Sequence, residues 1–139
     1  YIKPIHHEFT HILNQTKDYP VDFKMITGSG YVADSWSEEP FNKEYLQNGF
    51  ISDYAQHSDG EDFAEMVSIY ATHDQAYWDA QLKAAGADAA ALISAKLDVV
   101  RLYMQESWGI DLDQLRKTIL RRQDDIVSGK VDLTDITIK

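Results

Sequence analysis

The chain has 139 residues, of which 44% are hydrophobic and 26% charged, a composition typical of a globular chain that can bury one core. Its 13 basic and 23 acidic residues give a formal charge of −10, which argues against nucleic acid as a partner because phosphate backbones are repelled. The absence of cysteine excludes disulfides and thiolate metal sites, and no apolar run is long enough to predict a transmembrane helix.

The hydropathy pattern predicts a mainly α fold and divides the chain into three stretches. A helix is predicted over residues 3–16. Residues 17–58 lack a sustained period and are rich in aromatic residues, glycine and proline, so we expect loops and short elements there, including a short helix over 42–47. The tail, residues 130–139, alternates in hydropathy and predicts a strand or an extended segment. Four further helices are predicted over residues 60–72, 74–85, 88–108 and 111–128.

One motif in the first predicted helix points to metal chemistry. His7-Glu8-Phe9-Thr10-His11 is an H-E-x-x-H pattern. Residues four apart lie on one face of a helix, so the two imidazoles can bind one metal ion. Glu8 lies about 100° further round the helix, where a base can take a proton from water activated by the metal. Zinc is the expected ion, because imidazole and carboxylate ligands suit it.

The same helix carries an apolar face. If His7 is placed at zero degrees, His11 lies at about 40° and the apolar residues cluster at about 140–240°. These residues are Ile5, Phe9, Ile12 and Leu13. We therefore expect this face to pack on the core and the histidines to point away from it. The alternative is a helix whose histidines lie on its solvated face without a metal.

A catalytic zinc site needs a third protein ligand, and the glycine and third histidine that follow the motif in metzincins are absent after His11. The helix predicted after Ser58 places Glu61 and Glu65 one turn apart, opposite its apolar residues. Glu61 could complete the site, and Glu65 could accept a hydrogen bond from a histidine and fix its tautomer. Spacing alone leaves Glu65 and Asp62 as rival ligands, and it leaves Glu61 the alternative of a capping box with Ser58.

Two later segments, taken with the H-E-x-x-H motif, resemble a known family. They are Asp53-Tyr54 and Glu61-Asp62-Phe63-Ala64-Glu65, and residues 49–73 are the most specific part. The combination resembles the gluzincin metallopeptidases. More narrowly, it resembles the zinc-binding metallopeptidase lipoproteins of Bacteroidetes, the substrate-import-associated zinc metallohydrolases. A more distant similarity is to the anthrax lethal factor peptidase domain.

The resemblance implies roles for individual residues. Glu61 matches the glutamate that supplies the third zinc ligand, and Tyr54, seven residues earlier, matches a tyrosine that donates a hydrogen bond to the developing oxyanion. Asp62 departs from the aromatic residue at that position in the distant relative, which leaves the local packing open. From the residues alone, Tyr54 reads as a core or rim tyrosine, and His57 could be a substrate contact or a competing ligand.

The resemblance also implies an arrangement of the whole protein. Residues 1–139 would form a single zincin-like catalytic domain, with the active-site helix and an aromatic loop segment in 1–58 and a helical subdomain in 59–139. Zincins place a small sheet before the active-site helix. We therefore expect the chain to be the C-terminal part of a longer precursor, whose earlier region supplies that sheet and a lipoprotein signal.

The expected location and partners follow from the same resemblance. They are the cell envelope, a lipid anchor on the missing N-terminal region as the link to the membrane, a peptide or protein substrate, and association with a nutrient-import complex. The expected function is hydrolysis of peptide bonds, with zinc held by His7, His11 and Glu61 and with Glu8 as general base. The alternative is a non-catalytic zincin-like accessory or binding module of a nutrient-import system. A plain helical interaction domain with solvated histidines is a third possibility.

Overall fold

The structure, a computed structural model, describes residues 2–31 and 45–127. Every regular secondary-structure element in these two stretches is a helix. The prediction of a mainly α fold is confirmed. None of the helices in the described stretches is long and apolar enough to span a bilayer. Short 3-10 turns cover Gly28–Gly30 and Tyr54–His57. The α-helices are α1 (Ile2–Thr16), α2 (Val21–Ile26), α3 (Asp59–Thr72), α4 (Gln75–Ala85), α5 (Ala87–Trp108) and α6 (Leu112–Val127).

The long helices begin and end within two residues of the predicted positions, and local capping groups explain three of these ends. The Ser58 hydroxyl accepts a hydrogen bond from the backbone N–H of Glu61 at the start of α3. The Asp74 carboxylate caps α4 in the same way. α5 ends at Gly109, whose φ of +65° is the left-handed conformation that commonly terminates a helix.

Two predicted elements lie wholly or partly outside the described residues. The tail, residues 130–139, is wholly outside them. Of the short helix predicted over 42–47, only the part from residue 45 onward is described, and it forms a run of turns through residue 49. In this described part the Gly49 N–H donates to the Leu46 carbonyl at 3.0 Å and the Phe50 N–H donates to the Tyr45 carbonyl at 2.9 Å, with a φ of +90° at Gly49. These are the bonds and the backbone angle that commonly terminate a helix, while residues 42–44 of the predicted helix lie outside the described residues.

α3 is the central helix of the fold. It packs against α1, the Tyr54–His57 turn, α5 and α6. All of its residues from Asp62 to Thr72 are buried. The hydrophobic core surrounds it, and its largest fully buried apolar side chains include Phe23, Phe50, Phe63, Trp78 and Ile93. Because neighbours surround α3, the polar side chains on this helix must find partners inside the protein.

The face of α1 that meets α3 is the reverse of the one expected from hydropathy. His7, Thr10 and Leu13 are buried. Three of the four residues of the predicted core stripe are exposed, with exposed fractions of 67%, 50% and 57% for Ile5, Phe9 and Ile12. The prediction of a core-facing stripe is therefore wrong except at Leu13. The physical reason is that α3 presents carboxylates to α1, and the histidine side of α1 turns towards them.

A buried ion pair joins the first turn of α3 to α5. The Lys96 ammonium on α5 lies 2.6 Å from Asp62 Oδ2, and neither side chain has any exposed surface. The Tyr31 hydroxyl donates to the same oxygen at 2.7 Å. Burial raises the pKa of Asp62 to about 6, although the Lys96 charge and these hydrogen bonds act in the opposite direction.

Gly49, in the segment before α3, is hydrogen-bonded to this ion pair. Its carbonyl oxygen accepts a hydrogen bond of 2.8 Å from the Lys96 ammonium. Its φ of +90° is a conformation that residues with a Cβ rarely adopt. A Cβ at this position would also lie 3.0 Å from Leu92 Cδ1 and 3.0 Å from Thr27 Cγ2. Both the backbone angle and the space therefore require glycine here.

Candidate metal site

Two histidines of α1 and one glutamate of α3 converge on a common point. His7 Nε2 lies 3.1 Å from His11 Nε2 and 2.7 Å from Glu61 Oε2. His11 Nε2 lies 3.2 Å from Glu61 Oε1. One ligand atom from each residue lies within 4.8 Å of the other two, so the three could hold a single metal ion.

Local structure explains how each of the three side chains reaches this point. His7 and His11 are one helical turn apart on α1 and project from the same face. Glu61 lies in the first turn of α3, where its backbone N–H donates to Ser58 and its carboxylate is directed at the histidines. Ser58 thus caps α3 as in a capping box. The Glu61 side chain contacts α1 and does not complete the box.

Glu65, one turn further along α3, orients His7 from the opposite side of the ring. Its side chain is almost fully buried, and its Oε2 atom lies 2.9 Å from His7 Nδ1. The two ring nitrogens of His7 therefore face two different carboxylates. Burial alone would lower the pKa of His7, but hydrogen bonds to and charges of Glu65 and Glu61 outweigh it and raise that pKa above its ordinary value.

Tyr54 lies beside the convergent residues at the start of its 3-10 turn. Its ring centroid is 5.8 Å from that of His7, and it stacks on the His57 ring at 5.7 Å. Partial burial, followed by the negative charge of Glu61, raises the pKa of the Tyr54 phenol, so the phenol keeps its proton at neutral pH. The side chain is 42% exposed and is accessible from solvent. A protonated phenol beside the histidines can donate a hydrogen bond to a bound molecule.

Glu8 and the rival ligands complete the set of residues singled out from the sequence. Glu8 is exposed on α1, and its negative charge is one of the causes that raise the pKa of the Tyr54 phenol. Asp62 points away from the histidines to Lys96. Among the described residues, neither Asp62 nor His57 belongs to the metal-capable group.

Sequence reasoning missed two residues that hold this arrangement together. The Ser52 hydroxyl donates to Glu65 Oε1 at 2.8 Å, and Lys96 neutralises Asp62 next to Glu61. No periodicity or motif marks a single serine in a loop. A lysine within an apolar helical stripe, in contrast, is a recognisable sign of a buried partner, and Lys96 lies in such a stripe of α5.

The comparisons with known proteins agree with this geometry. A family model described as "Putative zinc-binding metallo-peptidase" matches residues 1–113. The chain belongs to this family. It also matches the crystal structure of a protein with the same description from Bacteroides caccae, with 38% sequence identity and a TM-score of 0.89. The match covers 99% of the chain and 51% of that protein, so the chain spans about half the length of its solved relative. No curated protein matches the chain.

The convergent atoms of this zinc-binding metallo-peptidase family member fit the ion that the family description names. Ligand atoms on a tetrahedral zinc ion, each about 2.0–2.1 Å from it, are separated by about 3.3 Å. The separations here are 3.1 Å between the two imidazole nitrogens and 3.2 Å and 2.7 Å from them to the carboxylate. The last two distances end on different oxygens of Glu61, Oε1 from His11 and Oε2 from His7, so a rotation of this carboxylate would present one oxygen to a zinc ion between the three side chains. Two nitrogens and one oxygen leave a fourth position for water or substrate, as in catalytic zinc sites.

Proposed function

We propose that the protein is a zinc-dependent metallopeptidase that hydrolyses peptide bonds. The observation that carries this proposal is the convergence of His7 Nε2, His11 Nε2 and a Glu61 carboxylate oxygen within 4.8 Å of one another. Membership of a family described as zinc-binding metallo-peptidases supports the same reaction class. His7, His11 and Glu61 would hold the ion. Zinc bound there would polarise the substrate carbonyl and make a water molecule more acidic.

Glu8 and Tyr54 would then perform the proton chemistry. Glu8 is exposed next to His7 in sequence, so its carboxylate is available to take a proton from the attacking water and pass it to the leaving amine. Tyr54, which remains protonated at neutral pH, would donate a hydrogen bond to the oxyanion that forms from the carbonyl. Glu65 would keep His7 oriented, because it accepts from the ring nitrogen that faces away from the ion.

The test of this proposal separates metal binding from catalysis. Glu8→Gln should leave zinc bound at one equivalent and lower peptide turnover by about 10²–10⁴-fold, because the general base is removed while the ligands stay. Zinc would be measured by elemental analysis and turnover by mass spectrometry of a cleaved peptide library. Retained turnover in this variant would remove Glu8 from the mechanism. Zinc without any cleavage by the unaltered protein would favour the accessory or binding module instead.

Other expectations from the resemblance remain predictions. They concern the division of the chain at residue 58, a preceding sheet, a lipid anchor, a location in the cell envelope and association with a nutrient-import complex. The relation between the chain and its solved relative is compatible with additional polypeptide, since that relative is about twice as long. Cell fractionation of the natural protein would test the envelope location directly.

A further inference from the structure

The Ser52 side chain connects two parts of the candidate site that are distant in sequence. Its hydroxyl donates to Glu65 Oε1 at 2.8 Å and accepts a hydrogen bond of 3.1 Å from the backbone N–H of Ala55. Ala55 belongs to the same 3-10 turn as Tyr54. One hydroxyl therefore joins the turn that carries the phenol to the buried carboxylate behind His7.

The Ser52 contact is one of those that satisfy the buried carboxylate of Glu65. A buried carboxylate is stable only if donors satisfy its oxygens, and Glu65 has one oxygen directed to each of two neighbours. Oε2 faces His7 Nδ1 at 2.9 Å, while Oε1 receives the Ser52 hydroxyl. The Ser68 hydroxyl also lies 3.4 Å from Oε2, but it comes from α3 itself and also bonds the Glu65 backbone carbonyl. Ser52 is thus a short contact to this carboxylate from outside α3.

We infer that Ser52 is a positioning residue for the proposed metal site: it orients Glu65, and Glu65 in turn keeps the His7 proton on Nδ1 and leaves Nε2 free for the ion. A metal-binding imidazole needs one unprotonated nitrogen, and the hydrogen bond at the other nitrogen decides which one that is. The inference rests on the proposed function, since it concerns the same site. It assigns to Ser52 a part in metal affinity as well as a part in stability.

The test compares two variants that each lose one hydroxyl. Ser52→Ala removes the donor to Glu65. Thr72→Val removes a hydroxyl near the other end of α3, where Thr72 donates to the Ser68 carbonyl at 2.6 Å and does not contact the candidate site. Each hydroxyl has two hydrogen-bond partners, since Thr72 Oγ1 also lies 3.2 Å from His73 Nδ1, so similar losses of unfolding free energy are expected. Zinc affinity, measured by competition with a chromophoric chelator, should weaken about tenfold in Ser52→Ala and stay within about twofold in Thr72→Val.

A second measurement reads the orientation of His7 without any metal. In the metal-free protein at alkaline pH, ring nitrogen resonances report which nitrogen carries the proton. Because the Glu61 carboxylate also faces His7 Nε2 at 2.7 Å, this measurement is made in the Glu61→Ala background. There the proton of His7 should lie on Nδ1 when Ser52 is present, and Ser52→Ala should show a mixture of the two tautomers. Ser52→Thr keeps the hydroxyl and should restore both the affinity and the tautomer. Ser52→Cys, a weaker donor of similar size, should give an intermediate affinity if Ser52→Ala fails to fold.

The outcomes separate this inference from the proposed function. One outcome is that Ser52→Ala and Thr72→Val bind zinc with equal affinity and leave the His7 tautomer unchanged, although Glu65→Gln weakens binding. That outcome would overturn the role of Ser52. Failure of the unaltered protein to bind zinc, or binding that Glu61→Gln does not weaken, would overturn the proposed site and this inference with it. A tenfold loss confined to Ser52→Ala and reversed in Ser52→Thr would support the positioning role.

Discussion

The carboxylates of Glu61 and Asp62 leave the first turn of α3 in different directions. Asp62 points into the core and meets the Lys96 ammonium at 2.6 Å, with no exposed surface on either side chain. Glu61 points towards α1, where it meets the imidazoles of His7 and His11 at 2.7 Å and 3.2 Å. Consecutive helical residues are about 100° apart, so one turn can serve two separate clusters.

The two clusters, Asp62 with Lys96 and Glu61 with His7 and His11, differ in the group that supplies their positive charge. The Asp62 cluster contains its own cation, the Lys96 ammonium, which forms a tight pair with the Asp62 carboxylate. The other cluster has imidazoles, which become cationic only when protonated, beside the carboxylates of Glu61 and Glu65. The first cluster is therefore suited to holding the fold together. The second is suited to binding an external cation, which is the property that the proposed function uses.

Breaking the Asp62 cluster should have the largest effect on stability. Lys96→Met leaves the Asp62 carboxylate buried without its cation, and the loss of one partner of a buried pair costs about 3–5 kcal/mol. Urea denaturation followed by circular dichroism would measure the free energy of unfolding. The double variant Lys96→Met/Asp62→Leu, which removes both charges, should regain most of the loss. A decrease below about 1 kcal/mol in the single variant would contradict a stabilising role for this pair.

Changing the Glu61 cluster should instead alter metal affinity. Glu61→Gln removes a charged ligand, so zinc affinity should fall by more than about a hundredfold, or about 2.7 kcal/mol. Competition with a chromophoric chelator would measure the dissociation constant. Asp59→Asn is the matched control, because it removes a carboxylate from the same helical turn where Asp59 bonds Tyr19 and not the histidines. Equal zinc affinities of the two variants would show that Glu61 is not a ligand.

A third carboxylate, that of Asp113, lies on the surface and should have the smallest effect on the free energy of unfolding. Asp113 contacts Arg101 at 3.1 Å and the Tyr70 hydroxyl. Burial alone would raise its pKa, but the Tyr70 and Arg101 contacts outweigh it and lower the pKa below its ordinary value. Its contribution to stability is therefore present above about pH 4 and is lost as the pH falls through the lowered pKa.

Asp113→Asn removes this contribution. Because the Asp113 side chain is half exposed, the loss of unfolding free energy at pH 7 should stay below about 1 kcal/mol. Denaturation at a series of pH values would measure the difference between the variant and the unaltered protein. The difference should shrink towards zero below the lowered pKa. A loss at pH 7 as large as that of Lys96→Met would show that burial does not decide the strength of these pairs.

The parts of the fold that sequence predicts well are those with local causes. The bounds of α3, α4 and α5 follow from Ser58, Asp74 and Gly109, whose side chain or backbone acts on residues only a few positions away. The convergence of His7 and His11 is local for the same reason, since helical geometry places residues four apart side by side.

The parts that sequence predicts poorly depend on which surfaces meet. Hydropathy placed Ile5, Phe9 and Ile12 towards the core, yet all three are exposed. The rule assumes that the polar face of a helix meets water, and here His7 meets the carboxylates of Glu65 and Glu61 instead. The contacts of Ser52 with Glu65 and of Lys96 with Asp62 join segments 13 and 34 residues apart, so neither could be derived from a local pattern.

Gly49 imposes a limit on how this protein can vary. Its carbonyl oxygen accepts a hydrogen bond from Lys96, and it lies three residues before Ser52, which contacts Glu65. Any larger residue would strain the backbone and press on α5 at Leu92. The displaced backbone would disturb the lysine on one side and the serine on the other. Mutational tolerance at position 49 should thus be as narrow as at a metal ligand, although the glycine has no side chain with which to bind an ion.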